Sequence, residues 1–467
     1  MDADNAQSDS VFPVSGPLVT VVAETQFRCP GDAHSISRSV HLSRLAAFYP
    51  PCRQCQHRND TGQLPPQTVE RIQQVERRVP QPTLFTRDGV RGVFLNELSP
   101  TAAGRIAGAF ATGLWEHVPL AAANPGGSCQ PARRGPTVVV GYDERPSSPA
   151  VLSSVTDQLR LMGCPVIDLG LVSRPCFAFA VDHVQAAGGV FVTGAGGDAS
   201  WTGLDLVGEC AVPLSAGVGL EDVERRLESG QTRPTRRAAF QQSFQAGVPY
   251  ETGLWKHFHA LRPLRVVCAA RPRTVRRTLR RLFARIPCEL FEVPADAGVN
   301  APFRPEILEK RITECVLRKQ AHLGLLIDDD GTRCVFIDER GHRIDPIALS
   351  AFLATVIRSE QPHAAVVVEH SAVDRFRELT GIDQVTDGGD SLGSVSAAMR
   401  ESNARFAGGS SDRYWFRESF PACDAILTLA RILQGLSRSD ATFSSVCSNR
   451  PRAVREPDEV ARREAAE

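Results

Sequence analysis

The chain has 467 residues, and at about 150 residues per domain this length favours roughly three domains. Its 42% hydrophobic residues are enough to bury real cores. The 53 basic residues balance the 53 acidic residues, which argues against the basic excess of a nucleic-acid-binding protein and against an acidic disordered chain.

The first ten residues, MDADNAQSDS, are acidic and polar, so no secretory signal is expected. No apolar run approaches the about 18 residues that span a bilayer. The 13 cysteines are odd in number and widely spread, which is typical of reduced thiols. We therefore expect a cytoplasmic protein whose partners include neither nucleic acid nor a membrane.

The extension formed by residues 1–82 is irregular, with cysteines and histidines concentrated in its middle. Cys52 and Cys55 form a Cys-x-x-Cys pair, whose thiolates in a tight turn point toward one tetrahedral metal. Cys29 and His34 would complete a Cys₃His site for Zn²⁺. The alternative is a set of packing or surface thiols, because a zinc ribbon usually carries two Cys-x-x-Cys pairs.

From about residue 84 the pattern changes to alternating strands and helices. Residues 137–140 (TVVV) predict a buried strand, and residues 149–162 predict a helix with one apolar face. Residues 165–169 and 189–193 predict further strands, so the units are of the βα type with right-handed crossovers. We predict an α/β fold in three blocks, preceded by a short charged helix over residues 66–80.

Two motifs at the start of this region carry a resemblance. The first is FTRDGVRG at residues 85–92, and the second is GYDERPSS at residues 141–148, where a strand ends and a helix begins. Together they resemble the opening of the phosphohexomutases, the family of phosphomannomutase, phosphoglucomutase and phosphoglucosamine mutase. The resemblance extends over residues 84–436.

The resemblance implies three consecutive α/β domains with mixed, mostly parallel sheets around a cleft, followed in the family by a smaller fourth domain. It also implies phosphoryl transfer, in which a phosphoserine beside Mg²⁺ exchanges its phosphate with a sugar phosphate. On this basis we assign the three domains to residues 83–212, 213–318 and 319–437. Residues 438–467 are assigned to a charged tail.

The nucleophile loop of the family reads Thr-Ala-Ser-His-Asn-Pro, and the matching stretch here is TGAGGD at residues 193–198. Ala195 takes the position of the serine, and its methyl group cannot carry a phosphoryl group. Asp205 takes the position of a lysine that follows in the family. Thr193 and Ser200 provide the nearest hydroxyl groups, although transfer tolerates little displacement of the nucleophile.

The metal loop of the family reads Asp-Gly-Asp-x-Asp-Arg after a strand, and residues 328–333 read DDDGTR here. Asp328 and Asp330 match two carboxylate ligands, and Thr332 replaces the third. Because Mg²⁺ usually combines few carboxylates with phosphate oxygens, we expect only weak Mg²⁺ binding by these three residues. The alternative is an acidic turn at the end of a strand.

The sugar-recognition loop of the family reads Gly-Glu-x-Ser-Gly-His, and residues 408–413 read GGSSDR here. Gly409 stands where a glutamate grips the sugar hydroxyls, Ser411 is kept, and Arg413 replaces the histidine. No stretch after residue 436 resembles the family's Arg-x-Ser-Gly-Thr-Glu-Pro phosphate clamp, so we expect no fourth domain.

Four arginines in or near these motifs are candidates for binding an anion in the cleft, because guanidinium groups bind phosphate in a bidentate manner. These arginines are Arg91, Arg145, Arg333 and Arg413. Together with Ser411 they form the predicted ligand-binding set. For Arg91 and Arg145 the alternative is an ion pair on the surface or between domains.

The sequence leaves three hypotheses open. The first is a catalytically degenerate phosphohexomutase, a pseudoenzyme that binds a phosphosugar or a protein partner in an exposed cleft. The second is an active mutase or phosphatase with another nucleophile, such as Thr193. The third is a scaffold or regulatory protein whose working part is the Zn²⁺ module of the extension.

Overall fold

Alternating strands and helices build three mixed β-sheets, and the predicted α/β class is confirmed. The computed structural model describes residues 27–30, 33–49, 51–52, 55–77, 83–117, 135–197, 199–295, 304–419 and 422–448. The chain divides into two units, residues 1–80 and 81–467. All three sheets lie in the second unit.

Within its described residues, the first unit contains two helices, α1 (Arg38–Ala46) and α2 (Pro66–Arg77). The helix α1 begins after Ser37, whose side chain accepts a hydrogen bond from Val40 N, as expected of an N-cap serine. The buried apolar cluster of this unit is small and is formed by Leu45, Cys52 and Ile72.

The first sheet of the second unit has seven strands. They are β1 (Phe85–Thr86), β2 (Gly89–Val93), β3 (Val138–Tyr142), β4 (Val166–Leu171), β5 (Gly188–Val192), β6 (Trp201–Val207) and β7 (Gln241–Ser243). Their order is β1-β2-β6-β5-β3-β4-β7. The strands β5, β3, β4 and β7 are parallel, and β1, β2 and β6 run antiparallel to their neighbours.

Four helices accompany this sheet: α3 (Pro100–Glu116), α4 (Ser148–Leu161), α5 (Arg174–His183) and α6 (Leu220–Ser229). The strand β3 is apolar and buried along Val138–Val140, as expected of a parallel strand covered on both faces. The helices α4 and α5 follow the carboxyl ends of β3 and β4, so the loops at these ends gather at one edge of the sheet.

The second sheet has four strands in the order β11-β10-β8-β9. They are β8 (Arg265–Ala270), β9 (Glu289–Glu292), β10 (Leu323–Ile327) and β11 (Cys334–Asp338), with helices α7 (Gly247–Trp255), α8 (Arg273–Phe283) and α9 (Pro305–Lys319). The strand β10 is parallel to β8 and antiparallel to β11. The loop between β10 and β11, residues 328–333, is named the aspartate loop below.

The third sheet has five strands in the order β13-β12-β14-β15-β16. They are β12 (Val366–Val368), β13 (Thr386–Asp387), β14 (Phe406–Gly408), β15 (Trp415–Phe416) and β16 (Ala422–Cys423). Its helices are α10 (Pro346–Glu360), α11 (Val373–Thr380), α12 (Leu392–Glu401), α13 (Ala425–Ser437) and α14 (Phe443–Ser448). Asp424 accepts hydrogen bonds from the amides of Ile426 and Leu427 and so caps α13.

One continuous apolar cluster passes through all three sheets and includes Val139, Val266 and Val368. Removing apolar surface of this kind from water contributes about 25 cal/mol for each Å². The three sheets are therefore joined by shared packing, which fixes the loops at their edges relative to one another.

The predicted domain boundaries differ from the sheets. Residues 241–243 form β7 and pair with β4 of the first sheet, although they were assigned to the second domain. Likewise β10 and β11 belong to the second sheet, although they were assigned to the third domain. In these mixed sheets, neighbouring strands are not always consecutive in the chain. A domain boundary placed from the order of elements along the chain can therefore fall inside a sheet.

The predicted charged tail over residues 438–467 also contains structure. The helix α14 lies within it, and the Phe443 side chain is 1% exposed, with its ring centroid 6.1 Å from that of Phe336. Residues 449–467 lie outside the described residues. Among the helices of the described ranges, none is both long and apolar enough to cross a bilayer.

Candidate functional site

A cleft of about 1110 Å³ lies in the second unit, where loops at the edges of the three sheets meet. Residues 195–197, which follow β5, line it together with the aspartate loop after β10. Arg413 from the loop between β14 and β15 also lines it. The structure thus brings together the nucleophile, metal and sugar loops that the sequence predicts.

The loop at Ala195 is organised by Asp143, which follows β3 and is 7% exposed. Asp143 Oδ2 accepts hydrogen bonds from Thr193 Oγ1 at 2.8 Å and from Gly194 N at 3.3 Å. Its Oδ1 accepts one from Ser148 Oγ at 2.5 Å. Thr193 Oγ1 in turn accepts from Ala195 N at 2.9 Å. Thr193 is wholly buried, so its hydroxyl holds the loop and does not face the cleft.

Hydroxyl groups are scarce on the cleft wall. Among the described residues that line it, the one hydroxyl belongs to Thr86, and it donates to Gly89 O at 2.7 Å. Ala195, whose side chain is only a methyl group, lines the same wall, and Ser200 is not among the residues that line it. The cleft therefore offers no free alcohol nucleophile among its described residues.

Arg91 is held in an ion pair deep in the cleft. Its Nη2 lies 2.6 Å from Asp205 Oδ1, and its Nε donates to Ala195 O at 3.2 Å. Arg174, the first residue of α5, places Nε 2.7 Å from Asp205 Oδ2. Burial by itself would lower the pKa of Arg174, but the charges of Asp205 and Asp330, with smaller contributions from Cys423 and Asp88, together raise it. Asp205 thus bridges two guanidinium groups.

Arg145 joins the loop at Ala195 to the aspartate loop. Its Nη2 lies 2.7 Å from Asp329 Oδ2 and donates to Gly197 O at 3.3 Å. Its Nε lies 3.2 Å from Asp143 Oδ2. Arg91 and Arg145 both form ion pairs with carboxylates that line or support the cleft wall.

The aspartate loop is tied to its own backbone. Asp328 Oδ1 accepts hydrogen bonds from the amides of Gly331 and Thr332 at 2.9 and 3.1 Å. Asp330 Oδ1 accepts from Thr332 N at 2.8 Å and from Thr332 Oγ1 at 2.6 Å. Thr332 is 2% exposed, so the residue in the third ligand position is turned into the loop.

Two arginines act on these carboxylates. Burial raises the pKa of Asp328 well above its usual range, and the charge of Asp330 adds to this. For Asp330 burial would also raise the pKa, but the guanidinium groups of Arg174 and Arg413 hold it at about 2. A carboxylate whose charge is already balanced by buried guanidinium groups attracts a divalent cation less strongly.

The donor set of the aspartate loop does not fit Mg²⁺. Asp329 is paired with Arg145, Thr332 donates to Asp330, and Arg413 Nε lies 3.4 Å from Thr332 Oγ1. Mg²⁺ requires oxygen ligands in near-octahedral geometry. In the described part of the chain, no group of three His, Cys, Asp or Glu side chains is arranged to hold a metal ion.

The sugar loop is supported by a buried carboxylate that the sequence analysis missed. Glu369 Oε2 accepts hydrogen bonds from Ser410 N at 2.7 Å and from Ser411 N at 3.0 Å. A Cβ atom on Gly409 would lie 2.4 Å from Glu369 Oε2 and also 2.6 Å from Glu369 Cβ, which a rotation of the Glu369 side chain cannot move away. Glycine at this position is therefore required by the neighbouring glutamate. The Ser411 hydroxyl is buried and has no hydrogen-bond partner among the described residues.

Arg333 and Arg413 differ from the other predicted arginines. They pair directly across an antiparallel β-bridge, and both line the cleft. Arg333 is exposed, and the one side-chain hydrogen bond of Arg413 within the described residues is the donation from Nε to Thr332 Oγ1. These two guanidinium groups therefore keep N–H donors that have no hydrogen-bond partner among the described residues.

The first unit contains the cysteines predicted to bind Zn²⁺. Cys29, Cys52 and Cys55 are all buried as free thiols, whereas His34 is exposed. Burial raises the pKa of Cys52 to about 11, and the charges of Cys29 and Cys55 add to this. The buried histidine of this unit is His41, whose Nε2 lies 3.1 Å from Asp60 O. The absence of a suitable metal-holding group in the described ranges leaves Zn²⁺ unsupported.

Sequence reasoning missed Arg174, Asp143 and Glu369 as site residues. Arg174 and Glu369 follow the carboxyl ends of β4 and β12, and Asp143 follows β3. Polar residues that follow parallel strands gather at the carboxyl edge of their own sheet, and the predicted strands therefore gave a signal for such residues.

Comparison with known proteins shows which family the chain resembles. A family model described as phosphoglucomutase/phosphomannomutase, alpha/beta/alpha domain I, matches residues 82–233. Phosphohexose mutases of Xanthomonas campestris pv. campestris are 28% identical over 328 residues, covering 68% of this chain and 72% of that protein. Phosphomannomutase of Escherichia coli K12 is 26% identical over 309 residues, covering 62% of this chain and 67% of that protein.

Solved structures share the fold. A phosphoglucomutase/phosphomannomutase family protein of Burkholderia thailandensis superposes with a TM-score of 0.65 at 23% identity, covering 79% of this chain and 80% of that one. The phosphoglucomutase parafusin of Paramecium, in its open form, gives a TM-score of 0.57 at 12% identity, covering 79% of this chain and 75% of that one.

Proposed function

We propose that this chain, which belongs to the alpha-D-phosphohexomutase superfamily, binds a phosphosugar in its cleft and does not transfer the phosphate. The observation that carries the proposal is the methyl group of Ala195 on the cleft wall, at the position that corresponds to the family's phosphoserine. A methyl group has no lone pair with which to form a phosphate ester, so the covalent step cannot begin there.

The surroundings of Ala195 support the same conclusion. Thr193, two residues away, is wholly buried and donates to Asp143. The Thr86 hydroxyl on the cleft wall donates to a backbone carbonyl. Because in-line phosphoryl transfer depends on close positioning of the nucleophile, neither group replaces the missing serine.

Binding of a phosphosugar is supported by the cleft itself. Its volume of about 1110 Å³ is ample for a ligand of this size, since ligand pockets usually measure about 300–1,000 Å³. Arg333 and Arg413 line it and supply guanidinium donors for an anion. Because the chain is similar to phosphohexose mutases, the ligands that we propose are hexose phosphates.

The test has two readings on one preparation. Isothermal titration with glucose 1-phosphate and mannose 1-phosphate measures binding, with glucose and inorganic phosphate as controls. Intact-mass spectrometry after incubation with glucose 1,6-bisphosphate measures phosphorylation of the protein. We expect binding of a hexose phosphate and an unchanged protein mass. A phosphorylated protein, whether at Thr193, Ser200 or elsewhere, would overturn the proposal, and so would the absence of binding.

A further inference from the structure

Two positive side chains lie directly opposite each other at the aspartate loop. Arg333 and Arg413 pair across an isolated antiparallel β-bridge, which places directly opposed Cβ atoms about 4.5–5.5 Å apart on the same face. Both residues line the cleft. The two side chains therefore leave the backbone side by side on the cleft wall.

Within the described residues, neither arginine lies within 4 Å of a carboxylate oxygen in an ion pair. Burial by itself would lower the pKa of Arg413, but nearby acidic groups, led by Asp330, act on it at longer range and raise it. Asp412, which precedes Arg413, is paired instead with Arg343 at 2.7 Å. Like charges directly opposite each other across a β-bridge destabilise it. An anion placed between the two guanidinium groups would remove this repulsion, and it would accept several charge-assisted hydrogen bonds.

The positively charged side chains of Arg413 and Arg174 already lie next to the aspartate loop. Arg413 Nε lies 3.4 Å from Thr332 Oγ1, the third predicted ligand. Arg174 donates its backbone amide to Asp330 O at 3.2 Å, and its guanidinium lies 2.7 Å from Asp205. A dication bound at Asp328 and Asp330 would stand beside these fixed positive charges.

We propose that Arg333 and Arg413 hold the phosphate of the ligand directly and take the place of a divalent cation, so that binding is independent of Mg²⁺. This inference rests on the proposed function and specifies how the ligand is held. The planar guanidinium fork matches the oxygens of a phosphate, and the anion would bridge the two opposed side chains.

The test is isothermal titration of the full chain with glucose 1-phosphate, once in EDTA and once in excess MgCl₂. We expect the two dissociation constants to agree within about twofold. Arg413→Ala and Arg333→Ala should each weaken binding by about tenfold or more, since a hydrogen bond to a charged group is lost. Arg225→Ala is the matched control, because Arg225 lies on α6 and its side chain is 71% exposed.

The outcomes separate the two proposals. Binding that strengthens more than about tenfold with Mg²⁺ would overturn the metal-free clamp and leave the proposed function standing. Unchanged affinity in both arginine variants would do the same. Failure of the unaltered chain to bind under either condition would overturn both proposals. Circular dichroism of each variant shows that it is folded, and the exposed Arg333 gives a second variant if Arg413→Ala unfolds.

Discussion

Arg174 Nε lies 2.7 Å from Asp205 Oδ2, and the two residues are 7% and 3% exposed. Arg174 begins α5, whereas Asp205 lies in β6. The second oxygen of Asp205 lies 2.6 Å from Arg91 Nη2. One buried carboxylate thus forms ion pairs with two arginines in the wall of the cleft.

Replacing this carboxylate should destabilise the fold. In Asp205→Asn two buried guanidinium groups lose their counter-ion, and breaking a buried ion pair costs about 3–5 kcal/mol. Urea unfolding measures the loss. Asp222→Asn is the control, because the pair of Asp222 with Arg225 on α6 is exposed and such pairs contribute about 0–1 kcal/mol. Equal effects of the two substitutions would contradict the bridging role of Asp205.

The glycine before Ala195 should not tolerate a side chain. A Cβ atom on Gly194 would lie 2.2 Å from the backbone oxygen of Trp201, so Gly194→Ala should cost about 1–3 kcal/mol through overpacking. Gly247→Ala is the control, because a Cβ there meets no atom within 4 Å, and the change should leave stability equal or slightly higher. Thermal melts compare the two variants, and similar melting temperatures would contradict the packing.

Restoring the hydroxyl alone should not restore turnover. Ala195→Ser places an alcohol on the cleft wall, but the donor set of the aspartate loop remains unsuited to Mg²⁺, with Asp329 held by Arg145 at 2.7 Å. Phosphoryl transfer relies on metal and positioned cations to stabilise the transferring group. We expect mutase activity at the background of the unaltered chain in a coupled assay. Mg²⁺-dependent turnover by Ala195→Ser would show that the loop still serves catalysis.

The exposed His370 and Asp387, at the edge of the third sheet, should have shifted pKa values in opposite directions. His370 Nδ1 lies 2.6 Å from Asp387 Oδ2, and this hydrogen bond raises the pKa of His370 and lowers the pKa of Asp387. The raised histidine pKa contributes stability below the ordinary value of about 6.5, which is lost as pH rises through the folded pKa. The lowered aspartate pKa contributes stability that is fully present above the ordinary value of about 3.9. This stability is lost as pH falls through the folded pKa.

NMR titration of the His370 ring measures this shift. In the unaltered chain the midpoint should lie above the ordinary histidine value, and Asp387→Asn should move it down. Asp383→Asn should leave it unchanged, because Asp383 is not among the groups that shift the pKa of His370. A titration midpoint of His370 that does not change in Asp387→Asn would show that His370 and Asp387 do not pair in solution.

Local pattern was enough to predict much of the fold. The strands predicted over residues 137–140 and 189–193 correspond to β3 and β5 in the structure, and the motifs of the three cleft loops do meet at one cleft. Sheet membership was not predictable in the same way. Whether β10 pairs with β8 or starts a new sheet depends on contacts distant in sequence, which periodicity does not report.

The same limit applies to the arginines. Arg145 was predicted to bind a ligand, but its partner Asp329 is 184 residues away in the chain. The burial and backbone bonds of Thr193 and Thr332 likewise arise from folding. Residue identity therefore located the site, whereas the three-dimensional contacts show which of its side chains are committed to internal partners.

Phosphorus NMR of glucose 1-phosphate in the presence of the protein tests binding without transfer most directly. The account predicts that the phosphate resonance broadens or shifts as protein is added, and that no glucose 6-phosphate resonance appears after prolonged incubation with glucose 1,6-bisphosphate present. A growing glucose 6-phosphate resonance, or a glucose 1-phosphate resonance unaffected by the protein, would contradict it.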